Sequence, residues 1–129
     1  MSEKWHNLCF EQTGQEHTVS AQACIDEASP WFSGHFPGEP ILPGIAVLAM
    51  VKDAIIYHES KKGRRVRISN IRRVRFRLPI RPGVLLSITL SSPDADLSYQ
   101  FKVAVNGETA CTGIMMIDPL SENIRNSEP

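Results

Sequence analysis

The sequence predicts an α+β domain in which a strongly curved antiparallel sheet wraps around one central helix. Three features predict it. There is one long apolar run suited to a helix, several segments alternate with a period of two, and a loop rich in Pro and Gly joins the first strand to the helix. At 129 residues the chain is a single domain, residues 1–129, large enough to bury one core. The core is expected over about residues 17–117, with a polar tail over 118–129.

Residues 17–25 place Val19, Ala21, Ala23 and Ile25 on one face, the pattern of a half-buried strand. Residues 26–43 carry Pro30, Gly34, Pro37, Gly38, Pro40 and Pro43, a spacing that no helix or central strand survives. This segment also holds Trp31, Phe32, His35 and Phe36, so an ordered, site-building loop is expected rather than a plain connection. Ile45 to Glu59 favours helix, with a stop at Ser60-Lys61-Lys62-Gly63. Its first two turns are apolar on every side, which predicts a helix enclosed all round.

Arg65 to Arg81 alternates again, with a stumble at Asn70-Ile71-Arg72 that suggests a bulge. Pro82-Gly83 turns the chain into a strand over 84–91. Asn106-Gly107 then joins strands over 99–105 and 108–117 as a hairpin. One sheet around one helix leaves its edges open, so a dimer is expected.

No stretch reaches the roughly 20 apolar residues of a membrane span, and no apolar leader follows the polar start. Cys9, Cys24 and Cys111 form no metal-binding spacing and read as free, buried thiols in a reducing compartment. A cytoplasmic protein without a bound metal is expected.

The zero net charge hides an asymmetry. Residues 61–81 hold ten of the fourteen Lys and Arg and no acid, while the remainder carries a net charge of minus ten. Such a run is either a solvated strand face or a surface for an acidic partner. Nucleic acid is not expected, since Phe76 alone interleaves the arginines with an aromatic ring.

The helix start at or near Gly44 leaves backbone N–H groups free, and Gly presents no Cβ to a ligand. His35 lies nine residues upstream on a proline-stiffened loop. A neutral imidazole beside such donors suits proton removal next to a carbonyl, with the N–H groups holding the enolate oxygen. A lone His in a loop is more often a hydrogen-bonded structural residue, so composition and spacing alone favour that role for His35.

The run Gly34-His35-Phe36-Pro37-Gly38-Glu39-Pro40-Ile41-Leu42-Pro43-Gly44 resembles the signature of the β-hydroxyacyl-[acyl-carrier-protein] dehydratases, whose G-H-F-P-x-x-P-x-x-P-G loop enters the central helix of the hot-dog fold. Val74 to Gly83 and the Asn106-Gly107 hairpin resemble the second and third shared stretches of that family. The resemblance implies a hot-dog fold and dehydration of a (3R)-hydroxyacyl thioester carried on acyl carrier protein. No resident cofactor is implied, because the 4'-phosphopantetheine arrives with the substrate.

By position, it implies His35 as the base, Gly44 as the oxyanion donor, and Ile41, Phe36 and Phe76 as substrate contacts. Arg72, Arg73, Arg75 and Arg77 would dock the carrier. The site would lie at a dimer interface, with an acid from the other subunit's helix. That acid aligns with Ala49, which can donate no proton. Asp53, one turn on and on the same helix face, is the candidate replacement, with Glu39 a second. The alternatives are a non-catalytic acyl-thioester-binding subunit paired with a complete paralogue, or a hot-dog thioesterase.

Overall fold

The computed structural model describes residues 8–11, 18–25, 41–92 and 97–120. Seven elements follow in order: β1 (Leu8–Glu11), β2 (Thr18–Cys24), α1 (Gly44–Lys61), β3 (Val66–Phe76), β4 (Leu85–Ser91), β5 (Ser98–Val105) and β6 (Glu108–Pro119). The strands form one antiparallel sheet in the order β1-β2-β4-β5-β6-β3, so β1 and β3 are its edges.

Alternation in sequence becomes a two-sided sheet. Ala21 and Ala23 of β2, Leu86, Ile88 and Leu90 of β4, Tyr99, Phe101 and Val103 of β5, and Cys111, Met115 and Ile117 of β6 are buried on the face that receives the helix. They meet Ala46, Val47, Met50, Val51, Ala54 and Ile55 of α1 at helical spacing. Of the three cysteines expected to be buried, Cys111 is buried in this core, whereas Cys9 and Cys24 are exposed.

The first turn of α1 departs from the enclosure its sequence predicts. Ile45 is 70% exposed and Ala49 only half-buried, while Lys52, Asp53 and Tyr57 on the same side are exposed. The sheet covers one side of the helix and leaves the other open, apolar at Ile45 and Ala49 and charged at Lys52 and Asp53. At its far end α1 runs two residues past Glu59 and closes in a Schellman motif. Gly63 takes a φ of +82° and donates to Ser60, and Arg64 donates to the Glu59 carbonyl at 3.0 Å.

Three other expectations are corrected. The strand expected to run to Arg81 stops at Phe76; Pro79 and Pro82 cannot sit in a paired ladder, and Ile80 instead accepts from the Leu42 N–H at 2.7 Å. The tail expected from Asp118 begins later, since β6 runs to Pro119, with Asp118 opposite Arg67 and 3.3 Å from its guanidinium. A short strand at Leu8–Glu11, not anticipated, pairs with β2. The bulge expected near Asn70 is present as two register shifts, between Ile68 and Asn70 and between Arg72 and Arg75. At the second, Arg73 adopts a φ of +57°, rare for a residue with a side chain.

Candidate active site at the helix start

Helix α1 begins at Gly44 with Pro43 as its N-cap, so no side chain caps it and no acid sits in its first turn. The Pro43 carbonyl accepts from Ala46 at 2.9 Å and from Val47 at 3.3 Å. Among the described residues, nothing accepts from the Gly44 and Ile45 N–H groups. These donors and the positive end of the helix dipole favour a developing negative charge.

An open cleft of about 410 Å³ lies at this terminus, lined by Ile41, Leu42, Gly44, Val47, Phe76, Arg77, Leu78, Pro79 and Ile80. Three of the expected substrate contacts, Ile41, Gly44 and Phe76, therefore meet in one place. The Leu42 to Ile80 hydrogen bond ties the two chain segments that form its walls. The Phe76 ring stands directly over Gly44: a Cβ there would sit 2.7 Å from the ring's Cζ. Glycine at 44 thus serves both the donor and the close approach of the aromatic wall.

His35 and Phe36 lie outside the described residues, as do Trp31, Phe32 and Glu39. Position 49, where the resemblance puts the acid, is alanine on the open side of α1. Asp53 is exposed one turn further on, on that side.

Arg73, Arg75 and Arg77 come together on the sheet face away from the helix. They line a shallow groove of about 510 Å³ with Lys102, Thr89, Ser91, Gln100 and Thr112. Strand register sets one row of it: Thr89 lies opposite Lys102, Lys102 opposite Thr112, and Thr112 opposite Arg75. Arg72 is exposed on the same strand but does not line this groove.

A buried polar cluster that the sequence reading missed sits at the opposite end of α1. Glu59, 1% exposed, accepts from the Tyr99 hydroxyl and lies 2.8 Å from Arg64 Nε. The Arg64 contact is out of line for a hydrogen bond on Oε1. Burial, then the bond to Glu59, pushes the Tyr99 hydroxyl well above the usual tyrosine range. Nothing in the helical pattern separates Glu59 from an ordinary surface glutamate; the signal is the tyrosine facing it from β5, which only tertiary structure supplies.

This arrangement, an antiparallel sheet around one helix with a cleft at the helix start, is the hot-dog architecture shared by acyl-thioester dehydratases and thioesterases. The ApeI-like family, described as ApeI dehydratase, matches residues 11–114. The chain belongs to that family. It is similar to the 3-hydroxyacyl-[acyl-carrier-protein] dehydratase FabZ of Haemophilus influenzae, with 34% identity over 71% of this chain and 68% of the relative. Among solved structures it resembles the dehydratase heterocomplex ApeI:P from Xenorhabdus doucetiae, with a TM-score of 0.67, 25% identity, and coverage of 82% of this chain and 91% of that one. A hypothetical thioesterase from Streptococcus pneumoniae, solved with coenzyme A, shares the fold at a TM-score of 0.71 and 8% identity, covering 89% of this chain and 87% of the other. Among the described residues, no helix is long and apolar enough to cross a membrane.

Proposed function

We propose that this chain acts in the dehydration of a (3R)-hydroxyacyl thioester, delivered on acyl carrier protein, to the trans-2-enoyl product. The observation that carries it is the uncapped start of α1 at Gly44, opening into the cleft walled by Ile41 and Phe76. The thioester carbonyl would accept from the free N–H groups there, which lowers the cost of enolate formation. His35 would take the proton from C2. The hydroxyl at C3 would then depart with a proton from an acid, and the sum is loss of one water. No group resident in the protein is required, since the substrate brings its own 4'-phosphopantetheine arm. Arg72, Arg73, Arg75 and Arg77 would form the cationic surface that meets an acidic carrier, in the reducing setting of the cytoplasm.

The acid is the open position. Ala49 offers no proton, and loss of a positioned general acid costs about 10²–10⁴ in rate. Asp53, exposed on the open side of α1, is the one candidate replacement among the described residues of that helix. A second reading is favoured by the same alanine and by the likeness to a heterocomplex. In it the chain is one subunit of a mixed dimer, contributing His35 and Gly44 to a site whose acid stands on the partner's helix.

The test is turnover of a 3-hydroxyacyl carrier substrate, read as enoyl absorbance. His35→Ala should lower the rate by about 10²–10⁴, and Asp53→Asn should lower it if Asp53 is the acid. Unchanged turnover in Asp53→Asn removes that residue from the mechanism. Turnover that appears only when a paralogue is added selects the subunit reading, and release of free thiol in place of enoyl product selects hydrolysis.

A further inference from the structure

The groove on the sheet face away from α1 is chemically one-sided. Arg73, Arg75, Arg77 and Lys102 line it, and no carboxylate does. None of these four makes an ion pair among the described residues. Neighbouring cations without an acid repel one another, and an anion between them relieves that repulsion. The hydroxyls of Thr89 and Thr112 stand among them as hydrogen-bonding groups.

The backbone is shaped to gather these cations. Strict alternation along β3 would turn Arg72 and Arg75 to opposite faces. One extra residue prevents this: Arg73 and Val74 stand against Gly113 alone, so that Arg72 and Arg75 share the outer face. Arg73, inside that bulge, holds a φ of +57°, which a side chain disfavours, and it lines the groove. Bulges often re-aim a side chain beside a site. Lys102 faces Arg75 with only Thr112 between them in the same row, which puts their backbones about 10 Å apart. Two long side chains can close on a phosphate across that distance.

One residue joins this groove to the cleft at the helix start, since Arg77 lines both. Its backbone is fixed by a 2.7 Å hydrogen bond from its N–H to the Ala110 carbonyl. A ligand with its thioester at Gly44 and its charge in the groove therefore passes Arg77.

Size and charge choose among such ligands. A groove of about 510 Å³ lies in the range of small-molecule sites, whereas a folded carrier needs a broad face of about 800 Å². The arm of a carrier brings the single charge of a phosphodiester. The pyrophosphate and 3'-phosphate of coenzyme A bring about four negative charges, enough to match four cations. Ile114, half-buried in the same groove, offers the adenine ring an apolar surface. We infer that this groove holds the nucleotide end of coenzyme A, so that the protein binds coenzyme A thioesters as well as carrier-borne ones. The inference rests on the thioester reading of the cleft and adds a second class of substrate. Carrier and coenzyme A would compete, because both call on Arg73, Arg75 and Arg77.

Calorimetry of the full chain with coenzyme A as its free thiol tests this without turnover. Coenzyme A should bind at least tenfold more tightly than pantetheine, with dephospho-coenzyme A, which lacks the 3'-phosphate, between them. Adenosine 3',5'-bisphosphate, which has no arm to reach the cleft, should bind and displace coenzyme A. Arg73→Gly suits the positive φ and removes a cation, so it should fold at least as stably as wild type yet bind coenzyme A at least tenfold more weakly. Lys102→Gln, at an exposed position, should weaken binding likewise. Neither should alter the affinity for pantetheine. Coenzyme A that binds no more tightly than pantetheine overturns the inference. So does tripolyphosphate that binds as tightly as coenzyme A, which marks a general anion site. Variants that weaken binding of the carrier but not of coenzyme A overturn it as well, and mark a dock for the carrier alone. The thioester reading fails separately, when the bisphosphate binds but the 3-hydroxyacyl thioester is not turned over.

Discussion

Two glycines show how one substitution can have unequal consequences within a single fold. At Gly113 a Cβ would lie 2.6 Å from the Phe101 ring and 3.2 Å from Val74, and Phe101 is buried with nowhere to turn. At Gly44 the clash is with the far end of the Phe76 ring, which is 54% exposed and can swing outward. Gly113→Ala should therefore cost about 1–3 kcal/mol in urea unfolding, the range for overpacking. Gly44→Ala should cost less stability but displace the cleft wall, lowering kcat/KM for the thioester. The reverse ranking in an unfolding experiment would show that Phe76 is the fixed ring and Phe101 the adaptable one.

At the scale of elements, the last turn of α1 and the middle of β6 set opposite limits on stability. Burial, with help from the Lys62 charge, holds His58 below the usual histidine range. The unfolded chain then binds the proton more readily, so stability should fall as the pH drops below about 6.5. Burial pushes the Cys111 thiol up to about 11. The folded state keeps that proton while the unfolded chain releases it, so stability should also fall as the pH rises from about 8.5 toward 11. Melting temperature against pH measures both limbs. His58→Gln should flatten the acid one and Cys111→Ala the alkaline one; a limb unchanged in its variant belongs to another group.

These elements were legible in sequence to different degrees, for physical reasons. The Asn106-Gly107 hairpin could be read residue by residue, because its turn requires the positive φ of +52° and +83° that these two residues take most readily. The start of α1 at Gly44 was equally plain, since Pro43 can cap a helix but not lie inside one. The ends of β3 and β6 were not. A strand's length is set by what pairs beside it, and β6 runs to Pro119 only because Val66 and Arg67 lie opposite its end. The open stripe on α1 escaped for a related reason, as apolar side chains on every face of a helix record burial without saying which chain provides it. The cleft itself followed from the motif at Ile41 and Gly44, whereas the Glu59–Tyr99 pair joins positions forty residues apart and leaves no local trace.

For the whole molecule, strand order matters more than any single contact. The sheet places its shortest strand at one edge and its most basic at the other, and it buries β2, β4, β5 and β6 between them. An eleven-residue edge is a template for further strands, and charged side chains along it are the usual guard against indiscriminate pairing. This chain should therefore stay dispersed longer on dilution into low salt than a variant carrying Arg72→Gln, Arg73→Gln and Arg75→Gln, and light scattering at equal concentration would reveal the difference. An earlier rise in scattering from wild type would assign the arginines no such protective role.

That open edge also bears on how much of the protein a cell can make. If the matching strand lives on another polypeptide, every copy produced in excess of it carries an unsatisfied ladder and a strip of exposed Ile45, Phe76 and Leu78. Surplus chains would be the ones held by chaperones and cut by proteases, so the abundance of one gene product would be trimmed to that of the other. Balanced synthesis, rather than affinity alone, would then set the number of working sites.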